Sequence, residues 1–253
     1  MLAKERQREI LNLLEAEGSI RVAAAAKEFG VTEETIRRDL DLMEGEGKLK
    51  RSHGGAVPVE NNSLEMPHWQ RETVNVEEKR LIGQEAASRV SEGDTIMLDA
   101  SSTAWFMAQY LVDMPLTVLT NAVQVAQALA KHRHIRLICT GGTMSRASLS
   151  FQGPIAESML DQFHVDKLFL SCRGLSVDRG ISDDNDVHAV LKRKMVEIAE
   201  HRTLMLDHSK FCKNALTRIA RIEEFNALIT DSQTDTDILG RIREEGVEVT
   251  VVS

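Results

Sequence analysis

No stretch of this 253-residue sequence approaches the ~18–20 consecutive apolar residues that a membrane span needs. The N-terminus is charged from Lys4 onward and lacks the apolar stretch of a secretory signal, so a cytoplasmic location and no membrane partner are expected. Cysteine is scarce. Cys139, Cys172 and Cys212 are odd in number and far apart, which excludes a disulfide framework and the paired spacing of a zinc site. Neither a metal nor a cofactor is therefore expected. There is no excess of positive charge either: 31 Lys and Arg against 39 Asp and Glu give a net −8. The first 57 residues, with ten basic and eleven acidic side chains, sum to −1. If such a chain binds nucleic acid, a local cluster does it, not a basic domain. Internal repeats and low-complexity tracts are also missing. What is present is 42% apolar and 28% charged residues, the balance of a folded chain with a sizeable core.

Two rhythms divide the sequence. Over 1–57, Ile10, Leu13 and Leu14 mark the apolar face of a first helix, which Gly18-Ser19 stops. Val22, Ala25, Ala26 and Phe29 mark a second helix, ended by Gly30 as a glycine just past a helix end would. Thr32 stands at the N-cap of a third, Glu33 and Glu34 suit its positive end, and Ile36, Leu40 and Met43 line its inner face. Gly45 and Gly47 break it. Leu49 starts a short strand, His53-Gly54-Gly55 a tight turn, and Ala56-Val57 a returning strand. Three helices and a hairpin in that order predict a winged helix-turn-helix.

Residues 58–75 are polar, aperiodic and contain two prolines, which predicts a linker with Trp69 as its anchor. Residues 76–253 alternate helix and short apolar strand. Helices are expected over 76–90, 102–111, 122–131, 187–200 and 235–245. Strands are expected over 95–99, 116–119, 135–139, 167–171, 203–206, 226–229 and 247–251. That alternation predicts an α/β domain with a buried, mostly parallel sheet.

The candidate DNA contacts fall on the third helix and the wing. Thr32 and Thr35 are short hydroxyls near the helix start. Arg37 and Arg38 follow on its exposed side, and Lys48, Lys50, Arg51, His53 and Gly54 form a basic, flexible wing. The competing use of the two arginines is to pair with Glu33, Glu34 and Asp41 on an ordinary solvated face.

In the second domain, polar turns follow successive strands: Asp99, Ser101, Ser102 and Thr103 after one, Thr120 and Asn121 after the next, Gly141 and Gly142 after the third. Ligands of open α/β sheets sit beyond the carboxyl ends of strands, and hydroxyl-rich turns at helix starts hold phosphates. Lys210 follows a later strand at the same edge, and Arg173 is a candidate phosphate partner in SCRG. Trp105 and Phe106 suit helix core, and Cys172 a small buried hydrophobe.

The run TEETIRRDLDLMEGEGKLKRSHGGA resembles the N-terminal signature of the DeoR family of bacterial regulators, and the resemblance continues along nearly the whole chain. The family's D-x-S/G-S/T-T, T-N, G-G and D-x-S-K-F motifs match Asp99–Thr103, Thr120-Asn121, Gly141-Gly142 and Asp207–Phe211. The resemblance implies a sensor domain similar in fold to ribose-phosphate isomerases and CoA transferases, with a phosphorylated sugar as effector. Its phosphate would go to Ser102 and Thr103, and its hydroxyls to Asp99, Asn121 and Lys210. It further implies a repressor of a carbohydrate catabolic operon that binds double-stranded operator DNA as a homodimer or homotetramer. DASSTAW and SCRGL most resemble the fucose-operon branch. One departure stands out. Where family members often carry a glutamate shortly before a K-R pair, this chain has His188; Glu197 is not equivalent, and Asp183, Asp184 and Asp186 are the nearby acids, Asp184 being the one assigned to the effector site. Two other functions compete. A sugar-phosphate isomerase needs a carboxylate base, which His188 displaces, and has no use for a winged helix. A DNA-binding protein whose second domain only oligomerises would bind no sugar phosphate.

Overall fold

A computed structural model describes residues 3–17, 19–46, 48–52, 54–58 and 66–253. The chain forms two compact units, residues 1–64 and 65–253. His53 and residues 59–65 of the expected linker lie outside the described residues.

In the first unit, α1 (Ala3–Glu17), α2 (Val22–Phe29) and α3 (Glu33–Gly45) are followed by β2 (Leu49–Ser52) and β3 (Gly55–Pro58), while β1 (Ile20–Arg21) precedes α2. The sheet order is β1-β3-β2, antiparallel throughout. The apolar stripes close on one another as their period requires: Ile10, Leu14, Ala25, Ile36, Leu40 and Met43 are buried with Leu49 and Ala56. Gly30 closes α2 in the left-handed conformation, with φ 65°. Strand β1 was not expected. It explains Gly55, whose missing Cβ would stand 1.9 Å from the Ile20 carbonyl oxygen. Only glycine lets the wing pass that close.

The second unit is a three-layer sandwich. Its seven-stranded sheet contains β4 (Thr95–Leu98), β5 (Leu116–Thr120), β6 (Ile135–Cys139), β9 (Val165–Leu170), β12 (Ala199–Met205), β14 (Ala227–Asp231) and β15 (Glu248–Val252). The order is β15-β14-β12-β9-β4-β5-β6 and every pairing is parallel. Helices cover both faces, so neighbouring residues on one strand enter different cores. Ile96 and Leu98 join α5 (Val76–Ser88), α6 (Ser102–Ala108) and α7 (Val123–Leu129). Met97 joins α8 (Pro154–Leu160), α9 (Asp186–Glu197) and α10 (Thr236–Glu244). Two-sided burial is why these strands are near-continuous apolar runs.

Several expectations change. Helix α9 stops at Glu197 instead of 200, because Ala199 already pairs with Val165 in the sheet. A hairpin, β7 (Thr143–Ser145) with β8 (Ser150–Gln152), was not foreseen. Nor was a small antiparallel sheet of β10 (Gly174–Ser176), β11 (Gly180–Asp183) and β13 (Thr217–Ala220). The expected linker is built into the second unit from residue 66 on. It contains α4 (His68–Arg71), and the His68 amide donates to the Ala147 carbonyl at 2.8 Å. His68, not Trp69, is its anchor: His68 is 1% exposed against Glu72, and Trp69 is 65% exposed. Among the described residues, no helix is long and apolar enough to cross a membrane, and no cluster of His, Cys, Asp and Glu could hold a metal ion.

Candidate functional site

Helix α3 is organised for display. Thr32 caps it by accepting from the Thr35 amide at 3.2 Å, and the two hydroxyls lie 2.9 Å apart. This cap uses both threonines in folding the helix. The two arginines then divide. Arg37 pairs with Glu33 at 2.8 Å, one turn back, and lies 3.9 Å from Glu34. Arg38 is exposed and pairs with no described residue. Asp39, next in line, turns inward and forms a buried ion pair with Arg6 at 2.6 Å, joining α3 to α1. It also accepts from Gln7 at 3.2 Å.

The wing's cations divide as well. Lys50 is exposed, and Lys48 pairs with Glu46 at 2.6 Å on the surface. Arg51 folds back onto α3: it donates to the Arg37 carbonyl at 3.2 Å, pairs with Asp41, and its amide donates to Glu44 at 2.7 Å. Its charge fixes the wing to the helix. Gly54 is exposed at the wing tip with φ 84°.

In the second unit, β4 connects onward to β5 and β6 on one side, while β9 continues to β12, β14 and β15 on the other. The chain therefore reverses its direction of travel between β4 and β9, and the crevice beyond their carboxyl ends is where such sheets hold ligands. Asp99 leaves β4 there, and Ser171, Cys172 and Arg173 leave β9. Asp99 is fully buried. Its Oδ1 accepts from Ser101 Oγ at 2.6 Å; its Oδ2 lies 3.5 Å from Lys192 Nζ and 3.4 Å from the Ser171 amide. Lys192 also donates to the Ser171 carbonyl at 3.0 Å and to Asp183 at 2.7 Å. Burial alone would lower the Lys192 pKa, but Asp183 and Asp99 outweigh it and hold the ammonium charged. Burial likewise disfavours the Asp183 carboxylate, and Lys192 more than offsets this. A buried cation clamped by two carboxylates thus floors the crevice.

Around this floor the expected residues take unequal parts. Asp99 is buried and both its oxygens already have partners within the protein. Thr120 is also committed, donating to the Leu98 carbonyl at 2.9 Å and accepting from the Ala122 amide at 3.0 Å. Ser101 caps α6 through the Ala104 amide. Ser102 and Thr103 make no side-chain hydrogen bond to described residues, and Asn121 donates to the Phe151 carbonyl at 3.1 Å while its buried Oδ1 has no partner. Gly141 and Gly142 follow β6. From there to β12 is four strand spacings, about 19 Å. Gly142 answers a packing need: a Cβ there would meet the Gln152 carbonyl oxygen at 2.8 Å.

Lys210 follows β12, half-buried and making no hydrogen bond through its side chain to described residues. Burial lowers its pKa, Asp207 and Cys172 raise it, and Arg173 and Arg71 lower it. Burial pushes the Cys172 thiol up to about 12, so it is an inert neighbour. Arg173 pairs with Asp184 at 2.9 Å, which places Asp184 at the outer rim. His188 is buried with its Nε2 3.2 Å from Ser148 Oγ and 3.5 Å from Ser150 Oγ. It braces the β7–β8 hairpin.

Sequence reasoning named Asp183 only as a nearby acid, and missed Lys192, Asn75 and Lys79. Lys192 could have been found: His188, Leu191 and Met195 mark the buried stripe of α9, and a lysine beside Leu191 on that stripe needs an acidic partner inside.

A winged helix with a bared arginine, joined in one chain to an α/β sheet with a charged crevice at its switch point, defines a DNA-binding transcriptional regulator. Comparison with known proteins narrows the class. Residues 6–62 match the DeoR-like helix-turn-helix domain, and residues 74–232 match the DeoR C terminal sensor domain. The HTH-type transcriptional regulator YulB of Bacillus subtilis is 45% identical over 100% of this chain and 98% of its own. The L-fucose operon activator of Haemophilus influenzae is 36% identical over 88% of this chain and 89% of its own. A solved ribose 5-phosphate isomerase from Methanocaldococcus jannaschii is a distant likeness, with TM-score 0.41, 18% identity, and 55% of this chain and 56% of that one covered. The chain belongs to the DeoR family, whose matching relatives here are named as transcriptional regulators and not as enzymes.

Proposed function

We propose that this chain represses a carbohydrate catabolic operon and releases its operator when a phosphorylated sugar occupies the crevice between β4, β9 and β12. The observation that carries this reading is the donor and acceptor balance of the crevice. Lys210 and Arg173 supply positive charge at one end, and Ser102 and Thr103 hydroxyls and the Asn121 Oδ1 supply polar groups toward the other. A ligand with one anionic group and several hydroxyls matches that set. Helix α6 has seven residues, so its dipole is a minor attraction for phosphate. The anion therefore goes to the cations at the β12 end, and the hydroxyls to Ser102, Thr103 and Asn121. The names of the relatives, the L-fucose operon activator among them, support a sugar operon as the target.

Among the described candidate contacts on the DNA side, Arg38 and Lys50 are the cations that pair with no described residue. Two or four copies of the chain, each offering one weakly charged winged helix, suit paired half-sites. The fall of formal charge to −1 over residues 1–57 makes such multiplicity necessary for tight binding. The test is a mobility-shift titration with duplex DNA from upstream of the chain's own coding region, run with and without a panel of sugar phosphates. One or more compounds should weaken the complex and raise the melting temperature of the full chain by mass action. Binding of no duplex, or a melting temperature unmoved by every compound, would overturn the reading. Rapid turnover of any compound would favour an isomerase instead.

A further inference from the structure

The Asp207 carboxylate begins the turn that carries Lys210, and one of its bonds leaves the crevice altogether. Asp207 is 1% exposed. Its Oδ1 accepts from the Ser209 amide at 3.0 Å and from the Ser209 hydroxyl, and also from Asn75 Nδ2 at 2.8 Å, across 132 residues of chain. Its buried Oδ2 has no partner. Asn75 stands where α5 would take its N-cap, yet its side chain makes no cap bond and goes to Asp207 instead. Its backbone is left-handed, φ 51° and ψ 48°, a conformation asparagine tolerates better than most residues. One turn into α5, Lys79 is 4% exposed and donates to the Arg71 and Val74 carbonyls, both at 2.7 Å. The turn from Arg71 to Asn75 is therefore held at two points: by the Lys79 ammonium from one side and by the Asp207 carboxylate at its end. That turn follows α4, and the same stretch of chain leads back in sequence to the DNA-reading unit.

We propose that the Asn75–Asp207 hydrogen bond is the relay by which ligand at Lys210 changes the 71–75 turn, on the side of the second unit that follows the DNA-reading unit in sequence. The inference rests on the sensor reading above and adds the route of regulation. Asp207 holds the turn that carries Lys210, its carbonyl accepting from the Lys210 amide at 3.0 Å, and the Lys210 charge favours its carboxylate, so an anion drawn to Lys210 takes part of that stabilisation away. Asp207 then rebalances its bonds, with its unused Oδ2 available for the change. Asn75 is the one partner of Asp207 outside its own turn among the described residues, so a shift of the carboxylate reaches the 71–75 turn through that amide. Asn75 is a positioning residue in this scheme and touches no ligand.

The experiment uses the full chain and Asn75→Gly, which keeps the left-handed backbone without strain and removes only the amide. The probes are D-ribose 5-phosphate, D-fructose 1-phosphate, D-fructose 6-phosphate and inorganic phosphate. Affinity for each is measured by calorimetry, and affinity for the upstream duplex is measured with and without each. The expected wild-type result is a change in duplex affinity of about tenfold or more on saturation with a bound probe, the size of an ordinary allosteric coupling. Asn75→Gly should bind that probe within about threefold of wild type, while its coupling falls below about twofold. A merely structural role for Asn75 would lower stability and leave the coupling ratio unchanged. Full coupling in Asn75→Gly overturns the relay and leaves the sensor reading intact. Loss of probe binding in the variant also overturns it, because Asn75 would then belong to the ligand site. If no probe binds wild type, the sensor reading fails first and the relay with it.

Discussion

Arg37, Arg38 and Arg51 carry the same charge within fifteen residues, yet only Arg38 is uncommitted. The spacing of the recognition helix made both Arg37 and Arg38 visible as exposed. It left open whether Glu33 holds Arg37, and it could not show that Arg51 crosses back from the wing, since that contact depends on where the hairpin lands. The same limit applies to the crevice. Residues next to strand ends, such as Asn121 and Lys210, were legible because strand ends are legible. Asn75 was not, because its partner comes from another element, and Lys192 was legible only as a lysine on a buried stripe, without the acids that hold it. The arginines can be told apart by salt. Arg38→Ala should weaken operator binding by about 1–3 kcal/mol if it meets a base edge, or lower the salt slope by roughly 0.9 if it meets a phosphate. Arg51→Met should weaken binding by loosening the wing while the slope of log affinity against log salt stays at its wild-type value. A drop in slope for Arg51→Met would return Arg51 to the DNA.

At the level of elements, periodicity located α1 to α3, the hairpin and the strands of the large sheet, because each buries a stripe or both faces. It missed β1, β7, β8, β10, β11 and β13, whose two to four residues are too short to show an alternation. It also missed two short helices: α4, a single turn whose burial rests on His68 alone, and α8, seven residues that bury only Ala156 and Leu160. A polar residue in the TIRRDL signature has an elemental role that its motif conceals. Asp39 looks like one more charge on α3, but it is 4% exposed and pairs with Arg6 of α1. Removing one member of a buried ion pair costs about 3–5 kcal/mol. Asp39→Asn should therefore destabilise the first unit by an amount in that range. In a urea titration its transition should move to lower denaturant while that of residues 65–253 stays in place. A shift below about 1 kcal/mol would mean the pair behaves as a surface ion pair. Operator binding should fall in the same variant, since α3 is oriented through that contact.

At the level of the whole molecule, ligand, proton and fold are linked through the lysines at the β12 end. Burial lowers the pKa of Lys79 from 10.5 to about 8, with Asp207 opposing and Lys210 and Arg71 reinforcing the shift. Lys210 is lowered for the same first reason. A cation whose folded pKa is depressed holds fewer protons in the folded chain than in the unfolded one, between the two values. On this account ligand-free stability rises with pH from about 8 toward 10.5, the reverse of a lysine that gains a partner. A bound anion next to Lys210 favours the charged forms, so binding takes up protons in that same window. Affinity for a sugar phosphate should therefore fall as pH climbs past about 8, where the ammonium must first be regained at the expense of binding. It should also fall below about 6, where the phosphate gains its second proton. The expected profile is a plateau between those limits. Calorimetry in buffers of different ionisation enthalpy should show net proton uptake at pH 8.5. In Lys79→Gln, which keeps a donor for the Arg71 and Val74 carbonyls, the alkaline fall should begin at higher pH and the stability gain between 8 and 10.5 should shrink. An affinity constant up to pH 9.5 in wild type would show that no lysine of this group titrates with the ligand. The anion would then have to be held by Arg173 and the Ser102–Thr103 hydroxyls alone.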